Sequence, residues 1–234
     1  MNIKDSVVLI TGANRGLGLE FAKQALERGA KKVYASARDV SKITLPGVVP
    51  VHIDVTKQED AAAAAAEFGD VTVLINNAGI ARIGGALASD SAALLSEQLL
   101  TNVFGILNLS QAFAPVLAKN GGGAILNVLS ALSWVNTPMI GNYGVSKAAA
   151  WGLTNTLRHE LRAQGTLVTG LHAGFIDTDL TRGLEVPKVT PQDVVRNALD
   201  ALEAGAEEVL VDDAAKMIHS ALSGSLYLKD VIAG

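Results

Sequence analysis

The chain has 234 residues, 49% hydrophobic and 18% charged, with 23 glycines, a formal net charge of -4 and no cysteine. That length suits one large α/β domain, and the apolar content argues against a disordered chain. The acidic balance supplies no basic field for nucleic acid, and the lack of cysteine removes disulfide, thiolate and Cys-ligand zinc chemistry together, so no metal site is expected.

Met1-Asn2-Ile3-Lys4-Asp5 leads directly into a short apolar run without the greasy stretch and cleavage site of a leader. No segment is read as approaching membrane-spanning length, so a cytoplasmic address without a membrane partner is the expectation. Val7 to Ile10 is β-rich, Gly12, Gly16 and Gly18 punctuate the next stretch, and Leu17 to Arg28 is amphipathic, which predicts strand, glycine turn and helix. Val33 to Ser36, Val49 to Ile53 and Val71 to Ile75 predict three further strands, with Ala61 to Ala66 on an intervening, solvent-tolerant helix. Only a short connection separates Arg38 from Val49 and Pro46-Gly47 interrupts it, so no full crossover helix is expected there.

Ser91 to Lys119 has the apolar spacing of one long helix, with Pro115 bending it or marking its last turn and Gly121-Gly122-Gly123 ending it. Ala124 to Val128 predicts a fifth strand, Asn142 to Ala163 a helix, Leu167 to His172 a sixth strand and Val209 to Val211 a seventh. Thr190-Pro191-Gln192-Asp193 reads as an N-cap followed by proline at the first position of a helix to about Ala204. This alternation implies an α/β fold: a single Rossmann-like, doubly wound parallel sheet of about seven strands with helices on both faces, one domain over 1–234.

Thr11 to Gly18 lies between the first strand and first helix, where backbone N–H groups and the helix dipole can hold a pyrophosphate; a tight turn is the plain alternative. Asn76-Asn77-Ala78-Gly79 follows the fourth strand, at the edge where doubly wound sheets bind ligands. Tyr143 and Lys147 stand four apart on one helix face. An ammonium beside a phenol favours its phenolate and eases proton exchange with an oxygen substrate, although such a pair also occurs as a surface contact. Ser130, just beyond the fifth strand, brings a hydroxyl to the same sheet edge, and the constellation is far more specific than the pair.

In order and spacing, Thr11 to Gly18, Asn76 to Gly79, Asn102, Ser130 and the Tyr143 to Lys147 pair resemble the short-chain dehydrogenase/reductase family over nearly the whole chain. The resemblance implies an oxidoreductase moving hydride between nicotinamide and a carbonyl or alcohol. Tyr143 is then the proton donor in reduction, Ser130 orients the substrate oxygen, and Lys147 holds the nicotinamide ribose and depresses the tyrosine pKa. Asn102 would secure a water linking the lysine to solvent, its alternative being a helix-surface amide. The resemblance further implies that Gly12, Asn14, Gly16, Leu17 and Gly18 line the coenzyme phosphates and ribose, Asp54 with Val55 contacts adenine, and Asn77, Ala78 and Gly79 border the adenosine ribose. Gly174, Ile176 and Thr178 match the segment that receives nicotinamide, although the family usually has proline where Ala173 stands. Between Thr178 and Thr190, where the family has a lid, the chain is short.

Coenzyme preference is argued from charge. Ala35-Ser36-Ala37-Arg38 ends the second strand without a carboxylate for a ribose 2'-hydroxyl and with an arginine instead, which favours the 2'-phosphate of NADP(H), NAD(H) remaining possible. Arg15 is placed to reach the same phosphate, and Asp39 to weaken the field by pairing with Arg38. Trp134, Met139 and Ile140 are read as one wall of a substrate pocket. His52, His159, His172 and His219 lie on separate elements and are each read as structural. The small residues Ala148-Ala149-Ala150 permit close packing, and the resemblance implies a homodimer or homotetramer. Two other functions stay open: a nucleotide-sensing module without turnover, and an epimerase or dehydratase that retains its nicotinamide.

Overall fold

Short runs of β-branched and aliphatic residues, each bounded by glycine, proline or a polar turn, pair into one parallel sheet in the computed structural model, which describes residues 1–229. The strands are β1 (Val7–Thr11), β2 (Lys32–Ala37), β3 (Val49–His52), β4 (Val73–Asn76), β5 (Ala124–Val128), β6 (Leu167–His172) and β7 (Glu208–Leu210), in the order β3-β2-β1-β4-β5-β6-β7. From β1 the chain winds outward through β2 and β3, then returns to lay β4 on the other side of β1. The carboxyl ends of β1 and β4 therefore flank the point where the order reverses, the place at which open parallel sheets leave a crevice.

Two-residue alternation along the strands divides the core between two faces. Val8, Ile10, Val73, Ile75 and Leu126 face α1 (Gly16–Glu27) and α6 (Pro191–Glu203) through Phe21, Ala22, Val194 and Leu199. Val7, Leu9, Leu74 and Ile125 face α2 (Gln58–Glu67), α4 (Gly105–Lys119) and α5 (Gly141–Leu161) through Ala61, Leu109, Phe113 and Leu157. Thr190 caps α6 by accepting from the Asp193 backbone N–H at 3.1 Å, with Pro191 at its first turn. Between β2 and β3 there is only a 3-10 turn at Val40–Lys42, as the short, proline-broken connection requires.

The helix expected from Ser91 to Lys119 is helical throughout but not uniform: α3 (Ser91–Leu99) and α4 are joined by a π turn over Leu100–Phe104, and Pro115 lies within α4. These 29 residues are long and apolar enough to cross a membrane by length and composition, contrary to the expectation that no segment reaches that size. Two of their polar side chains are nevertheless spent on neighbouring segments. Gln98 accepts from the Arg82 backbone N–H at 3.0 Å and Asn108 donates to the Val55 carbonyl at 3.0 Å, contacts that lipid would not supply. A further helix, α7 (Asp213–Ser220), follows β7 and packs Ala215 and Ile218 against Ala131, Trp134 and Val135.

Candidate active site

The turn between β1 and α1 is shaped by close approach. Gly12 and Gly16 take φ of +66° and +54°, and a Cβ on Gly18 would overlap the Gly12 carbonyl and the Asn77 amide. Thr11 and Asn77 lock this turn to the end of β4. The Thr11 hydroxyl accepts from the Asn77 and Ala78 backbone N–H groups, each at 3.0 Å, and the Asn77 side chain donates to the Thr11 carbonyl at 2.9 Å. Asn77 is thus a clamp whose amide faces the protein, while Ala78 and Gly79 continue the edge. Arg15 stands at the N-cap of α1 in extended backbone and supplies no side-chain cap, so the first-turn N–H groups of Gly16, Leu17 and Gly18 have no side-chain acceptor. Asn14 lies in this same turn. The arrangement fits a phosphate: tight glycine backbone, orphan donors and a helix N-terminus.

Across the crevice, Ser130 follows β5 and Tyr143 and Lys147 share one face of α5. Tyr143 is only partly exposed; burial pushes its phenol up to about 12, against a smaller lowering from its hydrogen bond with Ser130. Lys147 is buried, its ammonium donating to the Val128 carbonyl at 2.8 Å and lying 5.7 Å from the centre of the Tyr143 ring. Desolvation lowers its pKa to about 8. Burial thus acts in opposite directions on the two groups, raising the phenol and lowering the ammonium, and Ser130 is the contact that lowers the phenol.

Asn102 is a buried member of the π turn, not a helix-surface amide. Its side chain donates to the Ile80 carbonyl and the Ser146 hydroxyl and accepts from the Ile80 N–H, each at 2.9 Å. A Cβ on Gly79 would lie 3.3 Å from Asn102 Oδ1 and 3.8 Å from Lys147 Nζ, so these three residues adjoin. Beyond β3, Asp54 accepts from the Thr56 N–H and hydroxyl at 3.1 and 2.8 Å, contacts that lower its pKa against the opposing effect of burial. Val55 is buried against Gly105.

Past β6, the Ala173 carbonyl accepts from the Ala131 N–H at 3.0 Å and Gly174 donates its N–H to Asp212 Oδ2 at 2.7 Å. These bonds fix the turn without the expected proline. Ile176 bridges to Val189, and Thr178 approaches the glycine turn, its Cγ2 3.8 Å from where a Gly16 Cβ would stand.

Three expectations are corrected. Asp39 pairs with Lys42 at 3.3 Å and caps Ser41, so it does not neutralise Arg38, which is exposed and makes no salt bridge among the described residues. Arg15 is turned across the mouth to Asp179 at 3.1 Å rather than toward the end of β2. Trp134 is not a pocket wall: it is buried, stacked on His172 with ring centres 3.9 Å apart, whereas Met139 is exposed. Residues that the sequence reading passed over include Asp179, Asp212 and the His172–Glu208 pair. For Asp212 a signal existed, since an aspartate after a strand and before Ala214-Ala215 is an N-cap pattern, and it does accept from the Ala215 N–H at 2.7 Å.

The model of the short chain dehydrogenase family matches residues 6–188. A 3-oxoacyl-(acyl-carrier-protein) reductase FabG of Vibrio cholerae is 33% identical over 193 residues, covering 79% of each chain. A short chain dehydrogenase from Burkholderia cenocepacia, solved in complex with NADP, superposes with a TM-score of 0.94 at 39% identity, covering 99% of both chains. A short chain dehydrogenase/reductase from Burkholderia phymatum, solved with NAD, gives 0.84 at 25% identity over 96% of both. With its seven-stranded parallel sheet and a family match over most of its length, the chain belongs to the short-chain dehydrogenase/reductase family of oxidoreductases.

Proposed function

We propose that this enzyme is an NADP(H)-dependent carbonyl reductase, running in reverse as an alcohol dehydrogenase, with Tyr143, Ser130, Lys147 and Asn102 as its working residues. The observation that carries the reading is the meeting of a neutral phenol, its serine partner and a buried lysine at the sheet edge beside the glycine turn. When bound, NADPH supplies the hydride. The Ser130 hydroxyl donates to the substrate oxygen and orients it, and Tyr143, held protonated by its burial, gives its proton to that oxygen as negative charge develops there. Lys147 borders the nicotinamide ribose, and Asn102 fixes the main chain beside Gly79 against which that ribose lies.

For the coenzyme, the turn from Gly12 to Gly18 would take the pyrophosphate, with Asn14 and Leu17 lining it. Asp54, Val55, Asn77, Ala78 and Gly79 would line the adenosine, and Gly174, Ile176 and Thr178 the nicotinamide. Support for NADP over NAD comes from the uncommitted Arg38 at the end of β2 and from the NADP complex of the Burkholderia cenocepacia relative. Arg15 would have to leave Asp179 to add its charge. A cytoplasmic address belongs to the same reading and is checked by fractionation. The direct test is a panel of ketones, aldehydes, 3-oxoacyl thioesters and alcohols with each coenzyme, followed at the nicotinamide absorbance. Turnover of a carbonyl with NADPH supports the reading. No turnover of any carbonyl or alcohol with either coenzyme, by enzyme shown to bind NADPH, contradicts it.

A further inference from the structure

Behind Ser130, on the side away from the crevice, lies a buried polar chain that the proposed reaction does not use. His172 ends β6 fully buried, with Nδ1 2.9 Å from the Ser130 carbonyl oxygen and Nε2 2.8 Å from Glu208 Oε2. The second contact is short but off the hydrogen-bond direction, so the two atoms are close without forming an aligned bond. Glu208 is held in turn by Arg158 at 2.9 Å and by the Trp151 indole N–H at 3.3 Å. Arg158, itself buried, is anchored through its Nε to the Val168 carbonyl at 3.1 Å. The ring of Trp134 stacks flat on His172, 17° from parallel. Room for the cluster comes from Gly170, where a Cβ would stand 3.0 Å from Arg158 Nη2 and 3.5 Å from His172 Nε2.

Proton inventory gives this cluster its meaning. A backbone carbonyl can only accept, so Nδ1 carries a hydrogen; Nε2 faces a carboxylate oxygen, which also only accepts when ionised. Burial opposes ionisation of Glu208, but contacts from His172 and Arg158 outweigh it and hold its pKa below the ordinary value. The imidazole therefore donates through Nδ1 to the Ser130 carbonyl, while Nε2 lies against the Glu208 carboxylate. The carbonyl so held belongs to the residue whose hydroxyl meets the Tyr143 phenol.

We propose that His172, braced by Glu208 and Arg158, is a positioning residue that fixes the Ser130 main chain and so aims the Ser130 hydroxyl at the reacting oxygen. The inference rests on the reading of Ser130 given above and deepens it. His172 is fully buried behind Ser130, with no surface on the crevice. Its contribution passes entirely through Ser130, and that sets it apart from a residue that merely supports the fold.

The test is a double-mutant cycle on carbonyl reduction with NADPH, using His172→Phe, Ser130→Ala and the double variant, with the dissociation constant of NADPH measured in parallel. Phenylalanine keeps the stack on Trp134 and removes both polar contacts. His172→Phe is expected to lower kcat by about tenfold to a hundredfold, the loss of a buried hydrogen bond that leaves the Ser130 carbonyl without its partner, with NADPH affinity unchanged and with no further loss in the Ser130→Ala background. His172→Gln, which retains an N–H donor, should recover part of the rate. Equal proportional losses in both backgrounds, or unchanged kcat in His172→Phe, overturn the proposal. If His172→Phe does not fold, His172→Gln and Glu208→Gln run through the same cycle under the same criteria. Should Ser130→Ala alone leave turnover intact, the reading of Ser130 fails, a result distinguishable from failure of the His172 proposal.

Discussion

We propose that Arg38 carries the coenzyme choice: Asp39, which could neutralise it, is engaged with Ser41 and Lys42, and Arg15, which could share its part, with Asp179. Arg38→Asp should therefore weaken NADPH by roughly tenfold to more than a hundredfold, the loss of one charge-assisted contact, while leaving or improving NADH. Dissociation constants for both coenzymes at fixed salt check this; parallel losses for both would remove Arg38 from the 2'-phosphate. Lys147 sets the pH response. Its pKa of about 8 in the coenzyme-free protein lies below that of the Tyr143 phenol at about 12, so on raising the pH the lysine loses its proton first. If coenzyme capture and reduction need both groups protonated, kcat/KM for NADPH falls as pH rises through about 8, since that ratio reports the enzyme before coenzyme binds. A profile flat to about pH 10 would mean either that Lys147 titrates in the ordinary range of a lysine or that its charge is not required.

The glycine turn is the element we propose for coenzyme binding, and Gly18 is its tightest point. Gly18→Ala should lower the melting temperature and weaken both coenzymes, because its Cβ would meet the Gly12 carbonyl, backbone that cannot yield cheaply; overpacking of this kind costs about 1–3 kcal/mol. Thermal unfolding and coenzyme titration check it, and a wild-type melting temperature with wild-type affinities would contradict it. This turn was legible in the sequence because glycine spacing and an apolar strand before it are local signals, and the same holds for each strand and for the Thr190-Pro191 cap. The π turn at Asn102 was not legible. Apolar residues continue at helical spacing from α3 into α4, and the insertion shows only when Asn102 finds Ile80 in three dimensions. The Arg158–Glu208–His172 chain escaped for a related reason. Its members sit on α5, β7 and β6, and only the sheet order brings them together. Trp134 was misread because an aromatic beside a catalytic-looking loop packs inward as readily as it lines a pocket.

For the whole molecule, one continuous sheet carries both halves of the site, with the glycine turn on β1 and the Ser130 and Tyr143 groups beyond β5. We propose that the chain forms a symmetric dimer or tetramer, Ala149 being exposed on α5 beside the buried Ala150 and allowing close approach of a second copy. Light scattering at micromolar concentration should return a multiple of 24.2 kDa, and a monomer mass at every concentration would count against it. Whether the phenol of Tyr143 delivers the proton in NADPH-dependent carbonyl reduction is decided by the turnover of Tyr143→Phe. The expected result is a loss of roughly 10² to 10⁴ in kcat with NADPH affinity retained. Undiminished turnover in that variant would contradict it.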